Sequence, residues 1–279
     1  GLADFLEDRE HKVFGPRMKA AMLEGSKEFA KDFMKKYDIP TAAYKVFDQS
    51  EFDEAAAYIK NRNQYPVVLK ADGLAAGKGV LICEDEKAAM IGLDTLKTGA
   101  LAGAAQRLVI EEFMSGEEAS VFAICDGDDC LIIGNAQDHK RVGEGDTGLN
   151  TGGMGAYSPA PLVTADLLKE IERDIIKPTI AGMNKEGHPY SGVLYVGLMI
   201  TESGPKVVEY NCRLGDPECQ VILPRLKSDL LYLMNEAAHK RLYRNEIELS
   251  DEYFCTVVMV SGGYPGGYET GKKTTGLAH

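Results

Sequence analysis

Tryptophan is absent, histidine is scarce at 5 residues, and the 6 cysteines form no C-x-x-C pair. Cys83, Cys125, Cys130, Cys212, Cys219 and Cys255 lie scattered and without histidines at ligand spacing, which argues against zinc. They read as free thiols of a reducing compartment, and the expected location is cytoplasmic. No apolar run approaches the roughly 18–20 residues of a membrane-spanning helix, so no membrane partner is expected. Basic residues are in deficit: 31 Lys+Arg against 43 Asp+Glu leave a net charge of −12. That balance opposes sequence-blind binding of nucleic acid, though a local basic pocket for a small anion stays possible.

What is present suffices for a real core, since 44% of the 279 residues are hydrophobic. The sequence opens at Gly1 inside a helix pattern, Leu2 to Arg9, and stops at His279 after a Gly/Pro-rich turn region. Both ends read as cut, and the expectation is a fragment of a longer chain.

The patterns alternate between strand and helix. Val13 to Pro16 reads as a strand end and turn, and Ala20 to Lys36 as a helix with Leu23, Phe29, Ala30 and Phe33 on one side. Tyr44 to Phe47 is a short strand, and Ser50 is the expected N-cap of a helix from Glu51 to Asn61. Pro66 to Lys70, Gly79 to Cys83, Leu108 to Phe113 and Ala119 to Cys125 read as further strands, with Asp85 opening a helix between them. A compact α+β unit from about 42 to 112 and a longer one after it are expected. In the second, a helix from Asp166 to Asn184 is kinked by Pro178. Strands at Gly192–Thr201 and Pro205–Tyr210 turn on Glu202-Ser-Gly204, Leu226 to Arg241 is the last long helix, and Phe254 to Ser261 starts another sheet.

Three stretches carry chemistry. In Lys206-Val-Val-Glu-Tyr-Asn-Cys-Arg-Leu-Gly-Asp-Pro-Glu218, Glu209 and Asn211 leave one face of a strand and offer hard oxygen donors suited to Mg²⁺ or Mn²⁺. Arg213 is next on that face, a fixed cation for a reacting phosphoryl group. An edge strand with its polar face in water is the plainer alternative. In Lys70-Ala-Asp-Gly73-Leu-Ala-Ala-Gly77-Lys78-Gly79, glycines between two strands let backbone N–H groups approach an anion, and two lysines bracket the loop. It is not a Walker A loop, because the Gly spacing is short and a strand follows. A flexible hairpin with solvated lysines competes with the phosphate-flap reading. Gly143-Glu-Gly-Asp-Thr-Gly148 matches G-x-G-x-x-G, but no apolar strand precedes it and no helix can follow. The polar stretch Asp138 to Tyr157, with His139, Lys140 and Arg141, is read as an ordered substrate loop, and His139 as a polar loop residue. Glu111, Glu112, Phe113 and Met114 end a strand between the two units, where a base edge can meet backbone groups and where Glu118 follows for ribose hydroxyls. Plain surface charge is the competing reading of the two glutamates.

Together these residues resemble the ATP-grasp superfamily and, within it, the phosphoribosylamine–glycine ligase family. The resemblance rests on Leu69 to Val80, on Asp138-His-Lys-Arg141 with Asn150-Thr-Gly-Gly-Met-Gly-Ala-Tyr-Ser-Pro159, and on Glu209 to Glu218, in family order through most of the chain. It implies an α+β fold whose two lobes clasp ATP. Residues 23–41 and 113–247 would form the large lobe, 42–112 the small lobe, 1–22 the tail of an N-terminal subdomain, and 248–279 the start of a C-terminal one. Most of the N-terminal subdomain and part of the C-terminal one would then be missing. Lys27 and Lys70 would reach the nucleotide from either lobe, with Gly73, Gly77 and Lys78 in the flap. Glu111 to Met114 would hold adenine, Glu118 the ribose, and Arg141 and Asn150 the phosphates. Glu209 and Asn211 would hold divalent ions, and Arg213 would act in catalysis. Asp138, Lys140, Gly152, Gly153 and Asp216 would line the substrate pocket. The implied partners are glycine and 5-phosphoribosylamine, with fusion to other purine-pathway domains in some relatives. The implied reaction makes glycyl phosphate from ATP, then the amide, and needs no protein nucleophile.

Two departures stand out. Many ATP-grasp enzymes place a further carboxylate on the strand before the metal pair, where Tyr195-Val-Gly-Leu198 has none, and Leu214 replaces a common Phe. The competing functions are an ATP-binding fragment without turnover and another ATP-grasp carboxylate–amine ligase.

Overall fold

The computed structural model describes residues 1–72, 79–98, 107–145 and 147–276. Gly73, Gly77 and Lys78 of the expected flap lie outside the described residues.

The smaller of two main sheets is antiparallel, with β1 (Tyr44–Asp48), β2 (Val67–Ala71), β3 (Val80–Cys83) and β4 (Arg107–Glu112) in the order β1-β4-β2-β3. Val67, Leu69 and Ala71 of β2 and Leu108 and Ile110 of β4 pack on helices Phe52–Arg62 and Glu86–Thr98 through Ile59, Ala89, Leu93 and Leu96. By strand alternation Lys70 and Glu111 then leave the opposite face together. Asp48, not Ser50, caps the entry to the first of these helices, because its carboxylate and that of Glu51 form a reciprocal capping box.

The chain continues through β5 (Glu117–Asp126), β6 (Cys130–Asp138), a two-stranded ribbon of β7 (Arg141–Gly143) and β8 (Thr147–Asn150), then β9 (Gly155–Ser158), β10 (Ser191–Thr201), β11 (Gly204–Asn211) and β12 (Phe254–Val257). Apart from the ribbon these form one antiparallel sheet, β11-β10-β5-β6-β9-β12. Val121, Ala123, Leu194 and Val196 face helix Lys27–Lys36 and the long helical run of residues 165–185. Phe122, Ile124, Val193 and Tyr195 alternate to the other side and meet Val221, Ile222, Leu233 and Ala237. Each fully buried side chain of this size contributes about 1.5–3 kcal/mol, so the two-sided burial fixes the register of β5 and β10.

Several boundaries differ from the sequence reading. The helix expected over 20–36 is two pieces, Met22–Gly25 and Lys27–Lys36, because Ser26 is extended and caps the second through Phe29 N–H. The kink expected at Pro178 is a wide π turn, Glu172–Ile176, just before a proline that lacks an N–H to close the ordinary ladder. The last helix is only Leu230–Ala238, since Asp229 caps it at Tyr232 N–H. No strand forms at residues 13–16. Phe254 to Val257 does not begin a new sheet but extends the large one beside β9.

Candidate active site

The two sheets meet through a buried ion triad. Lys70 lies 3.0 Å from both carboxylate oxygens of Glu111, and Lys31, from helix Lys27–Lys36, lies 3.0 Å from Glu111 Oε2. The three residues are only 2%, 7% and 2% exposed for Lys31, Lys70 and Glu111, so these charges interact far from bulk water. Lys31 also donates to Thr41 Oγ1 at 2.8 Å, and Thr41 donates to the Val207 carbonyl at 2.6 Å. Lys70 reaches the Val208 carbonyl at 3.5 Å, beside Glu209.

This arrangement corrects the role expected for Glu111. Its backbone lies inside the ladder between β1 and β2, opposite Tyr44 and Val68, and its side chain belongs to the lysines. A base edge has no access to it. Just beyond, Phe113 and Met114 leave the ladder, and among the described residues their backbone groups pair with no other backbone group. Glu112 binds the Ala43 amide through its carboxylate at 3.0 Å and the Ala43 carbonyl through its own N–H at 2.9 Å, fixing the crossover between the sheets.

Asp72, next to the flap, was not singled out from the sequence. Its Oδ1 accepts from Lys27 N at 2.5 Å and Glu28 N at 3.3 Å, and its Oδ2 from Ser26 Oγ at 3.1 Å. The small sheet thus supplies an acceptor to the N-terminus of the helix that carries Lys27 and Lys31. Burial lowers the Lys27 ammonium pKa, partly offset by Asp72, with Lys70 adding to the fall.

On β11, Glu209 and Asn211 share a face, with Asn211 Nδ2 at 3.5 Å from Glu209 Oε1. Glu209 pairs across the sheet with Gly197, and a β-bulge follows at Leu198. A Cβ at position 197 would sit 3.1 Å from the Tyr195 ring and 3.3 Å from Glu209 Cγ, so the position lacking the extra carboxylate is one where a side chain would crowd Glu209. A small pocket beside it is lined by Glu118, Ser120, Lys140, Tyr195, Gly197 and Glu209.

Below the pocket lies a second polar cluster. Lys140 pairs with Glu118 at 2.7 Å and approaches Asp138 at 4.0 Å. Ser120 Oγ donates to Tyr195 Oη at 2.8 Å and lies 3.4 Å from Glu218 Oε1. Burial opposes the charge on Lys140, but Glu118, Tyr195 and Asp138 outweigh it and hold the ammonium above its usual range. Burial raises Asp138, and Lys140 pulls it back in part. Burial also raises Glu218, with Asp138 adding to the rise.

Other expected residues stand apart. β11 ends at Asn211, so Arg213 is no longer on its face; it is exposed, donates to the Leu214 carbonyl at 2.9 Å and lies 3.6 Å from Glu24. The alternation that grouped it with Glu209 stops two residues short. Arg141 donates to the Gly148 carbonyl at 2.8 Å and braces the β7–β8 ribbon, on which Asn150 is exposed. Asp216 is exposed and accepts from Gln220 at 2.9 Å. Gly152 N–H donates to Tyr264 Oη at 3.2 Å, and Gly153, at φ +126°, packs against Pro217. Lys31, Asp72 and Glu218 were missed. The one available signal for Lys31 was its place one helical turn after Lys27.

A four-stranded sheet with a glycine-rich strand connection, set over a larger sheet bearing a Glu/Asn pair, is the ATP-grasp fold, and this protein is of that class. The phosphoribosylglycinamide synthetase, ATP-grasp (A) domain profile matches residues 25–219, and the chain belongs to that family. It is similar to phosphoribosylamine–glycine ligase from Mesorhizobium japonicum, at 51% identity over 99% of this chain and 64% of the relative. It is similar too to the bifunctional purine biosynthetic protein PUR2,5 of Pichia angusta, at 49% identity over 99% of this chain and 35% of that protein. The crystal structure of phosphoribosylamine–glycine ligase from Thermotoga maritima superimposes with a TM-score of 0.85 at 38% identity, covering 96% of this chain and 67% of that one. The chain thus spans about two thirds of the length of these monofunctional relatives, 64% in the first case.

Proposed function

We propose that the chain carries the ATP-clasping part of a phosphoribosylamine–glycine ligase, an ATP-dependent carbon–nitrogen ligase of purine biosynthesis. Residues 42–112 act as the small lobe, with 23–41 and 113–247 as the large lobe. The observation that carries the reading is the convergence of Lys70 on the Val208 carbonyl at 3.5 Å, which brings the phosphate lysine next to the Glu209 strand.

In this reading the triphosphate lies between the sheets. Lys27 and Lys70 offset its charge. The exposed backbone at Phe113 and Met114, with Glu112 holding the crossover, takes the adenine edge. Glu118, kept in place by Lys140, takes the ribose hydroxyls.

Glu209 and Asn211 fit a divalent ion: one carboxylate and one amide oxygen on a common strand face, with Glu209 exposed, suit Mg²⁺ or Mn²⁺ completed by phosphate and water oxygens. When bound, the ion supplies charge neutralisation on the phosphate oxygens. Glycine's carboxylate attacks the γ-phosphorus of ATP in line, ADP leaves, and the amine of phosphoribosylamine displaces phosphate from the acyl phosphate. Positioning and electrostatics supply the catalysis, so no side-chain nucleophile is required. The Gly152–Gly153 segment against Pro217, with Asp138, Lys140 and Asp216 nearby in the fold, forms the acceptor side. Arg213 is held by Glu24 in the free protein and acts on phosphate only after leaving that pair.

The test is phosphate release from MgATP with glycine and freshly prepared phosphoribosylamine, omitting each in turn. Release that requires both supports the reading. Release supported by a different acid moves the protein to another carboxylate–amine ligase.

A further inference from the structure

We propose that Lys31 is a positioning residue for nucleotide binding: it shares Glu111 with Lys70, and the triad's surplus positive charge is kept for the polyphosphate. The inference rests on the nucleotide reading of the site above.

Glu111 is one carboxylate facing two ammonium groups at 3.0 Å each, so the triad carries one positive charge more than it neutralises internally. All three groups are almost wholly buried. An uncompensated buried charge is costly, whereas a bound anion would offset it. A lone Lys70–Glu111 pair would be neutral, and its lysine would be spent on its partner. With Lys31 sharing the carboxylate, Lys70 is released in part toward the side where its ammonium already reaches the Val208 carbonyl at 3.5 Å. Lys31 itself points away from that side. Its other contacts are Thr41 Oγ1 at 2.8 Å, the Ala42 carbonyl at 3.5 Å and, over the ring at 5.9 Å, Tyr44. It therefore acts through Glu111 and Lys70 and not by touching substrate.

The same geometry makes the device titratable. Burial brings the Lys31 pKa down to about 8, with Glu111 resisting the fall and Lys70 adding to it; Glu112 contributes a weaker opposing pull. Among the described residues, the other charged groups around this junction include Lys27 with Asp72 on the helix start, Glu209 on β11, and Arg62 and Lys206, which lie 4.0 and 3.9 Å from Glu112. Above about pH 8 Lys31 loses its proton, the triad becomes neutral, and the polyphosphate loses the triad's share of its counter-charge. Below that pH the proton is present and affinity is full. Binding of the anion favours the charged ammonium, so nucleotide binding near that pH takes up a proton, and affinity falls by at most about tenfold per pH unit above it.

The experiment is titration calorimetry of the protein with MgATP, without glycine, from about pH 7 to about pH 9.5, in buffer pairs of different ionisation enthalpy. Wild type should bind with a dissociation constant that is flat below about pH 8 and rises severalfold above it, with net proton uptake near that pH. Lys31→Met should bind several-fold more weakly at pH 7, with a flattened profile and reduced uptake; Lys31→Arg, which keeps the charge, should stay tight and lose the pH dependence. The wild-type profile needs no variant, so a misfolded Lys31→Met does not block the test. Lys31→Met with the wild-type profile and proton uptake, or a wild-type profile flat to the highest pH, overturns the positioning role while leaving nucleotide binding intact. A wild type that binds no MgATP at any pH overturns the nucleotide reading itself and this inference with it.

Discussion

Asp72, just past β2, accepts the backbone N–H of Lys27 at 2.5 Å, so one carboxylate ties the small sheet to the helix that packs on the large one. The helix borrows its main N-terminal acceptor from a residue 45 positions away in sequence. Replacing Asp72 with Ala should cost about 1 kcal/mol, in the range of a lost helix cap, and lower the urea midpoint accordingly. Asp72→Asn, which keeps an acceptor, should recover most of that. An Asp72→Ala protein with an unchanged midpoint would show that Ser26 alone caps the helix.

Glu209 is exposed on β11, so its removal should leave the fold intact. Glu209→Ala should abolish metal-dependent turnover by the full-length enzyme, and Asn211→Ala should weaken it. Paramagnetic resonance of Mn²⁺ with nucleotide gives the direct readout: bound Mn²⁺ should drop strongly in Glu209→Ala at an unaltered thermal midpoint. Unchanged Mn²⁺ binding in that variant refutes the assignment of the pair.

Short, nearly continuous apolar runs such as Val67 to Leu69 and Val193 to Val196 made the strands readable, because these strands are buried on both faces. The Glu209/Asn211 spacing was equally visible, since both residues sit within one strand. Arg213 was misplaced for the opposite reason: alternation carries no information past the last paired residue, and the chain bends there toward Glu24. Lys31 and Asp72 were silent in the sequence because their partners lie far along the chain, at Glu111 and at Lys27 to Glu28. A buried lysine in an amphipathic helix looks like any surface lysine until the facing carboxylate is located. The Asp48 cap and the break at Ser26 were hidden by competition among several capping residues within a few positions.

Gly153 and Gly145 separate backbone strain from steric exclusion. Both have positive φ, +126° and +69°. A Cβ at Gly153 would lie 2.3 Å from Pro217 Cδ, whereas at Gly145 nothing among the described residues lies within 4 Å. Gly145→Ala should therefore cost only the backbone term, about 1 kcal/mol. Gly153→Ala must also displace the Asp216–Glu218 loop, and the expected loss is about 2–4 kcal/mol. Thermal melts of the two variants side by side check this; equal losses would mean that Pro217 yields freely.

Glu218 is the group whose titration the fold perturbs most usefully for a stability test. It is buried at 3% exposure, and burial together with Asp138 raises its carboxyl pKa above the usual range. The folded protein therefore holds this proton to higher pH than the unfolded chain does. Its contribution is full below the unfolded pKa and is lost as pH rises through the folded one. Glu218→Gln keeps the shape and an acceptor toward Ser120 but carries no proton to lose. Its stability relative to wild type should consequently grow as pH rises from about 4 to about 7, and the urea midpoints of the two proteins should diverge across that interval. Parallel midpoints would mean that Lys140 already neutralises the cluster and that the Glu218 carboxylate ionises in the fold as it does in water.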